Sequence, residues 1–215
     1  DEQSRVERYG GKIIFTDDIT FSSSTLLNEY FSPYPPEVMS YINEFKQRHS
    51  AIEVLSCLDA IADLDVLVIG EAIIDEYVFC NAIGKAGKEP VLVSKYERAE
   101  TYAGGILAVA NHTSDFCKKV TCLTYLGEGE DKLDFISDQL KEKVDFQFVE
   151  KLDSPTIVKT RYVEDYGNQK LFETYKINDN HFGQNKKKFM EKLNYLLPKY
   201  DVVIVADYGH GLIDQ

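Results

Sequence analysis

The sequence predicts an α/β fold in which a mostly parallel sheet carries helices on both faces, with a small β-hairpin excursion and an N-terminal helical arm. Two short, continuous apolar runs, LDVLVIG at 64–70 and DVVIVADYG at 201–209, are typical of strands buried on both faces. Between these runs, strand-like segments alternate with segments of helical length. That alternation is the pattern of parallel strands joined by right-handed crossovers.

The residues before 63 have a different character from the rest of the chain. Residues 9–36 are rich in Ser, Thr, Asp and Pro, which indicates an irregular linker. Apolar residues then recur at helical spacing, and Pro35 and Pro36 suit a helix start. The recurring positions are Val38, Ile42, Phe45, Ile52, Leu55, Leu58 and Ile61. We therefore predict a linker and helical arm at 1–62 and the main domain at 63–215.

After residue 63 the predicted elements follow in a fixed order. Alternating segments at 77–84 and 90–102, separated by a turn rich in Gly and Lys, predict the hairpin excursion. The remaining elements are helices at 104–117, 132–141 and 186–197, and strands at 120–127, 144–150, 156–164, 169–177 and 201–209.

Composition and charge exclude several classes of partner. A net charge of −12 argues against nucleic acid, because phosphate backbones are bound by clustered Lys and Arg. No stretch approaches the roughly 20 apolar residues that span a bilayer, and the polar first residues are unlike a signal peptide. The four cysteines have no metal-ligand spacing and are interpreted as free, buried thiols of a cytoplasmic protein: Cys57, Cys80, Cys117 and Cys122. The histidines likewise have no metal-ligand spacing, so no metal site is predicted.

Candidate ligand residues lie where predicted strands end, since open α/β sheets bind ligands beyond the carboxyl ends of their strands. Asp75 follows the first buried strand and could accept hydrogen bonds from vicinal hydroxyls, or could cap a turn. Gly104 and Gly105 open a helix, where they could bring backbone N–H groups to a ligand or serve close packing. Asp207, in a Gly-flanked segment after the last strand, could line a ligand or form a plain turn.

Taken together, these segments resemble the ribokinase-like carbohydrate kinases of the PfkB superfamily. The resemblance covers residues 63–215 and is greatest to the kinase domain of the bifunctional heptose-phosphate kinase/nucleotidyltransferases. The matching segments are VLVIGEAIIDEY, KAGKEPVLVSKYERAETYAGG, GGILAVAN, SPTIVKTRYVEDYGNQKLF and VVIVADYGHG. No single motif is decisive, but five in this order are specific together.

The resemblance implies an ATP- and Mg²⁺-dependent transfer of phosphate to a sugar or sugar phosphate of the heptose-phosphate type. It makes residues 77–102 a β lid that covers the sugar and mediates a homodimer. Lys159 and Arg161 would approach a substrate phosphate, and Asp207 would lie near the phosphoryl-transfer centre. The full set of implied substrate-binding residues is Asp75, Gly104, Gly105, Asn111, Lys159, Arg161 and Asp207.

Several departures from the family pattern leave alternatives open. Glu71 replaces the first Asp of G-D-x-x-x-D, Ala108 replaces an Asn (with Asn111 nearby), and His210 replaces a Lys. The later G-A-G-D motif, which carries the anion hole and the catalytic Asp, is absent from these 215 residues. We therefore expect the catalytic base to lie beyond Gln215, in a longer protein that also carries a nucleotidyltransferase domain. The alternatives are a catalytically inactive sugar-binding or scaffolding domain, and a structural partner of the nucleotidyltransferase.

Overall fold

The computed structural model describes residues 2–12, 34–129, 132–180 and 183–213. Most of the predicted linker, residues 13–33, lies outside these ranges. The chain divides into two compact units, Asp1–Val54 and Leu55–Gln215. The predicted division after residue 62 stays a prediction.

The described part of the N-terminal region includes the helices α1 (Glu2–Arg8), α2 (Pro36–Arg48) and α3 (Ala51–Ile61). Helix α1 was not predicted from its polar sequence. The helical spacing predicted for α2 and α3 is confirmed, and Pro36 occupies the first turn of α2 as expected. None of the described helices is long and apolar enough to cross a membrane.

The first sheet is parallel throughout and has the strand order β5-β4-β1-β8. Its strands are β1 (Asp65–Gly70), β4 (Lys119–Gly127), β5 (Val144–Lys151) and β8 (Val202–Ala206). Helices cover both of its faces, as the sequence predicted. They are α4 (Ile106–Thr113), α5 (Leu133–Gln139) and α6 (Lys186–Leu196), with 3₁₀ turns at Gly183–Asn185 and Leu197–Lys199.

The alternation of β1 explains why this strand is apolar on both faces. Val66 and Val68 point into a core shared with α4 and α5, whereas Leu67 and Ile69 point into a second core shared with α6. All four side chains are buried. The continuous apolar run therefore fills two cores from one strand.

The second sheet contains the predicted hairpin and has the strand order β3-β2-β6-β7. Its strands are β2 (Ala72–Lys85), β3 (Leu92–Gly105), β6 (Ile157–Glu164) and β7 (Gln169–Lys176). Strands β2 and β6 pair in parallel, whereas β2 pairs with β3, and β6 with β7, in antiparallel hairpins. The hairpin was predicted, but its union with β6 and β7 into a separate sheet was not.

Two predictions of burial are wrong. Strand β8 was predicted to be buried, yet Val202, Val203 and Val205 are 38%, 39% and 56% exposed. The reason is that β8 is an edge strand, paired with β1 alone among the described strands. Cys57 was also predicted to be buried, but it lies on α3, which has no buried residue, and it is exposed. Cys80, Cys117 and Cys122 are buried and free, as predicted.

Candidate substrate site

One face of the second sheet collects most of the predicted substrate residues. In the strand register, Asp75 lies beside Lys159 of β6 and opposite Tyr102 of β3. Two residues further on, Tyr77 lies beside Arg161. Register partners and residues two apart share a face of a sheet. The structure thus brings Asp75, Lys159 and Arg161 onto one face, and their role in binding a substrate stays a prediction.

Asp75 is held by an ion pair with Arg161. The guanidinium donates from Nη1 to Asp75 Oδ1 at 2.5 Å, lies 3.3 Å from Glu173 Oε1 through Nε, and stands over the Tyr77 ring at 5.3 Å from its centroid. Burial alone would lower the pKa of Arg161, but the hydrogen bond to Asp75 and the neighbouring carboxylates raise it above its ordinary value. The hydrogen bond to Arg161 fixes Oδ1 of Asp75.

Asp75 does not lie just past a strand end, as the sequence suggested, and it does not cap a turn. The chain passes from β1 through Glu71 directly into β2, which pairs with β3 and β6 along its length, so Asp75 lies inside a strand. Its carboxylate occupies space above Gly104, where a Cβ atom would overlap Oδ2. Gly104 therefore makes room for the Asp75 side chain.

Gly105 has a different role, which is close packing. It has a φ of +57° and precedes α4, and a Cβ atom there would overlap the backbone oxygen of Glu71. The same oxygen accepts a hydrogen bond from the N–H of Ile106 at 3.0 Å. The packing interpretation left open by the sequence thus applies to Gly105.

An open cavity of about 330 Å³ lies over this face. It is lined by Asp75, Tyr77, Phe79, Glu100 and Tyr102. The rings of Tyr77 and Tyr102 meet edge-on with centroids 5.8 Å apart, and Tyr102 donates to Glu100 Oε2 at 2.5 Å. A carboxylate flanked by aromatic rings suits a ligand that has both hydroxyl groups and an apolar face, such as a sugar.

A second polar cluster lies at the carboxyl edge of the first sheet and centres on Glu71. This side chain is fully buried, and its carboxylate accepts hydrogen bonds from three backbone N–H groups of the segment after β8. The donors are Tyr208 at 2.9 Å, His210 at 3.2 Å and Leu212 at 3.3 Å. Glu71 therefore anchors residues 207–212, which we call the β8 loop.

Asp207 forms a turn within the β8 loop. Its Oδ1 accepts from the N–H of Gly209 at 2.8 Å, and Gly209 has a φ of +75°, so the turn interpretation describes the local structure. Burial, and after it the charges of Glu71 and Asp75, raise the pKa of the Tyr208 hydroxyl. The Glu71 carboxylate holds the β8 loop at the connection between β1 and β2, four residues before Asp75.

Asn111 is the predicted residue that the structure places elsewhere. Its amide nitrogen donates to the backbone oxygen of Gln139 at 2.9 Å, and its amide oxygen accepts from the N–H of Lys141 at 3.0 Å. The side chain joins α4 to the end of α5. Both ends of the amide are occupied by backbone, so we leave Asn111 out of the site.

The described residues do not form a Mg²⁺ site of their own. Within that part of the chain, no three His, Cys, Asp or Glu side chains converge as metal ligands would. Lys159 is the available cation on the Asp75 face. Its Nζ lies over the Tyr175 ring at 5.3 Å from the centroid, and no described carboxylate is paired with it.

Sequence reasoning noticed Glu71 only as a departure from a motif and missed its contacts. The one signal was its position, directly after a buried strand that ends in Gly. Such a carboxylate is buried with the strand and must find donors nearby. That the donors come from a loop 137 to 141 residues later could not be read from the sequence.

Comparison with known proteins gives relatives for about two thirds of the chain. No protein-family model matches. A bifunctional protein HldE from Aeromonas salmonicida is 31% identical over 152 residues, which are 70% of this chain and 31% of that protein. Its counterpart from Pasteurella multocida is 27% identical over 150 residues, again 70% of this chain and 31% of that protein. The chain thus spans about a third of the length of the curated relatives it matches.

Solved structures of similar topology include two kinases. A carbohydrate kinase from Agrobacterium tumefaciens has a TM-score of 0.48 at 16% identity, covering 66% of this chain and 45% of that one. Phosphofructokinase-2 from Escherichia coli, solved with fructose-6-phosphate, has a TM-score of 0.47 at 12% identity, covering 68% of this chain and 47% of that one.

Proposed function

We propose that this chain, which is similar to the HldE proteins over 70% of its length, carries a ribokinase-like kinase domain and provides the sugar-binding part of an ATP-dependent sugar or sugar-phosphate kinase. The observation that carries the proposal is the Asp75 carboxylate, which is fixed by Arg161 and seated above Gly104 on an aromatic face. A heptose phosphate is the substrate class that the sequence resemblance implies.

The two oxygens of Asp75 have different surroundings. Oδ1 accepts from Arg161, while Oδ2 has no hydrogen-bond partner among the described residues. In the proposal, Oδ2 accepts a hydrogen bond from a sugar hydroxyl, and Tyr77 and Tyr102 contact the apolar face of the ring. Because Oδ1 is occupied by Arg161, Oδ2 is the oxygen of Asp75 that is left to bind a ligand.

A substrate phosphate would be bound by Lys159 in preference to Arg161. The charge of Arg161 is already balanced by Asp75 and Glu173. Among the described residues, the ammonium group of Lys159 lies over the Tyr175 ring and pairs with no carboxylate, so its positive charge is available to a phosphate. Sequence reasoning gave the two cations equal roles, and we now propose different ones.

Phosphoryl transfer would take place where the β8 loop approaches the Asp75 face. In this proposal Asp207 and Tyr208 border the transfer site, and the nucleotide with its Mg²⁺ is supplied as ATP·Mg²⁺. The described residues contribute positioning of the acceptor sugar. The residue that accepts the hydroxyl proton is not assigned.

The test uses the protein expressed from its complete reading frame. ADP release from ATP and Mg²⁺ is measured over a panel of hexoses, heptoses and their phosphates, with wild type, Asp75→Ala and the surface control Asp138→Ala. We expect turnover with one sugar phosphate, and a loss of roughly a hundredfold in kcat/KM for Asp75→Ala, because hydrogen bonds to a carboxylate are lost. The control should match the wild type, since Asp138 is exposed on α5.

Two results would contradict the proposal. Turnover that is unchanged in Asp75→Ala would remove this face from the site. Tight binding of a sugar phosphate without any ADP release would favour the inactive sugar-binding alternative.

A further inference from the structure

Lys151, the last residue of β5, has an ammonium group buried at the carboxyl edge of the first sheet. The residue is 1% exposed. Its Nζ donates to the backbone oxygens of Asn178 at 2.7 Å, Asn180 at 2.6 Å and His210 at 3.4 Å. It also lies 4.9 Å from the centroid of the Tyr125 ring. Three carbonyl oxygens and one ring face form the kind of cage that binds a monovalent cation. In this cage the cation is the ammonium group of Lys151, which is attached to the chain.

The acceptors belong to two different segments. Asn178 and Asn180 follow β7 of the second sheet, in residues 178–180, which we call the β7 loop. His210 belongs to the β8 loop, which follows the first sheet. One ammonium group therefore joins loops from both sheets.

Further contacts tie the same two loops together. The His210 ring lies with Nδ1 2.9 Å from Asp179 Oδ1. Gly211, with a φ of +86°, packs so closely on the β7 loop that a Cβ atom would crowd the Asn180 oxygen. Tyr125 donates from its hydroxyl to the His210 oxygen at 2.9 Å, beside the contact from Lys151.

The β8 loop is thus held by two buried charges of opposite sign. Glu71 accepts from its N–H groups, and Lys151 donates to one of its carbonyl oxygens. Burial of the ammonium group lowers the pKa of Lys151, and the charges of Asp179 and Glu71 act in the opposite direction. A buried ammonium group is tolerated because each of its three N–H donors has an acceptor.

We propose that Lys151 is a positioning residue for phosphoryl transfer, whose ammonium group acts as a tethered cation that fixes the β8 loop against the β7 loop. The inference rests on the proposed function, because it is the β8 loop that would place Asp207 and Tyr208 beside the transferred phosphate. Lys151 itself is too deeply buried to contact substrate. Its effect on the reaction passes through the loop.

The first experiment measures amide hydrogen exchange and needs no catalytic activity. Lys151→Met keeps an unbranched side chain as far as Cε and removes the ammonium group with its three donors. We expect the amides of the β7 and β8 loops to exchange roughly tenfold faster than in the wild type, while those of β1 and β4 are unchanged. Lys192→Met is the matched control, since the Lys192 Nζ donates to a single backbone oxygen, that of Phe148, at 3.3 Å. The control should leave both loops as protected as in the wild type.

The second experiment is chemical rescue, and it also serves if Lys151→Met folds poorly. Lys151→Ala is refolded and assayed with ethylammonium chloride, tetramethylammonium chloride or sodium chloride at equal ionic strength. Ethylammonium has N–H donors and fits the vacated space, so it should restore loop protection and raise kcat with little change in KM for the sugar. Tetramethylammonium has no N–H donor and should not.

The outcomes separate this inference from the proposed function. If the wild-type protein has no kinase activity, the proposed function fails, yet the exchange and rescue data still decide whether Lys151 fixes the loops. Unchanged exchange in Lys151→Met, or equal rescue by ethylammonium and tetramethylammonium, would overturn the role of Lys151. Faster exchange spread evenly over β1, β4 and both loops would overturn it as well, by showing a general loss of stability.

Discussion

Asp75 and Arg161 face each other across two parallel strands and form an ion pair. The pair is largely shielded from water, so removing one partner leaves a partly buried, uncompensated charge. Glu173 and Tyr77 complete the surroundings of the guanidinium. The orientation of the Asp75 carboxylate is therefore set before a ligand arrives, which lowers the entropy cost of binding.

Gly104→Ala should disable Asp75 without replacing it. The added Cβ would overlap Asp75 Oδ2, so the carboxylate must turn away from its present position. We expect the affinity for the sugar phosphate to fall roughly tenfold or more, because a hydrogen bond to a carboxylate contributes about 1.5–3 kcal/mol. Isothermal titration calorimetry measures this directly, and thermal unfolding monitors stability.

The matched control for this substitution is Gly167→Ala. A Cβ at Gly167 would meet Glu164 Oε2 at 3.6 Å, an ordinary contact, and no left-handed φ is involved. It should change neither affinity nor stability. Wild-type affinity in Gly104→Ala would show that the carboxylate does not bind the substrate from this position.

Glu173 should give the fold a stabilisation that depends on pH. The hydrogen bond from the Tyr175 hydroxyl, and after it the charges of Arg161 and Lys170, lower the pKa of Glu173 below its ordinary value of 4.5. A carboxyl whose pKa is lower in the folded state stabilises the fold above 4.5, and that stabilisation is lost as the pH falls through the folded-state pKa. Urea unfolding of wild type and Glu173→Gln should therefore give different free energies at pH 7 and converging ones below pH 4.5.

The control for the pH series is Glu191→Gln, on the exposed side of α6, where the Lys187 contact is 3.8 Å long. A difference between wild type and Glu173→Gln that stays constant down to pH 3.5, about one unit below an unperturbed Glu, would contradict the assignment.

At the scale of elements, the sequence predicted most strands and helices because apolar periodicity reports burial directly. The run 64–70 predicted β1, and its four alternating side chains fill the two cores as expected. The same reasoning overestimated the burial of β8, because an apolar run looks alike in a central and an edge strand. Strand pairing was harder to predict. Nothing local in residues 157–176 indicates that β6 joins β2, since that pairing depends on contacts more than 80 residues apart.

The candidate site was predictable to the same extent. Asp75 was singled out by its position after the first apolar run, and Lys159 and Arg161 by the family resemblance. The register of β2 and β6 in the structure then places all three on one face. The sequence did not reveal three other features of the site. They are the hydrogen bonds of Glu71, the packing role of Gly105 and the hydrogen bond of Asn111 to the end of α5. Each depends on a backbone approach between distant segments, which leaves no periodic signal in the chain.

At the scale of the whole second unit, the site lies where the two sheets join. Only Glu71 separates β1 of the first sheet from β2 of the second. The backbone oxygen of Glu71 accepts a hydrogen bond from the N–H of Ile106 in α4, and its carboxylate accepts hydrogen bonds from the β8 loop. The carboxyl edge of the parallel sheet and the polar face around Asp75 are therefore coupled through one connection, and a ligand could contact both.

The other face of the second sheet supports the proposal of a homodimer formed through the lid. An apolar cavity of about 390 Å³ lies there, and several large side chains that line it are exposed. They include Leu92, Tyr96 and Phe172. Exposed apolar patches of this kind commonly mark protein interfaces. Phe172 stacks on Tyr162 with ring centroids 4.3 Å apart, so it presents a rigid apolar surface.

We propose that a homodimer forms through this face, and Phe172→Asp should then convert it to a monomer, because a charge in the middle of an apolar interface must be desolvated without a partner. Light scattering after size-exclusion chromatography gives the mass directly. Tyr166→Asp is the matched control: Tyr166 is an exposed aromatic residue in the β6–β7 turn that is not part of the cavity lining, and the variant should keep the wild-type mass. A wild type that is monomeric well above micromolar concentration would refute the dimer. In that case the patch on this face would need another partner, while the Asp75 face, on the opposite side of the sheet, would be unaffected.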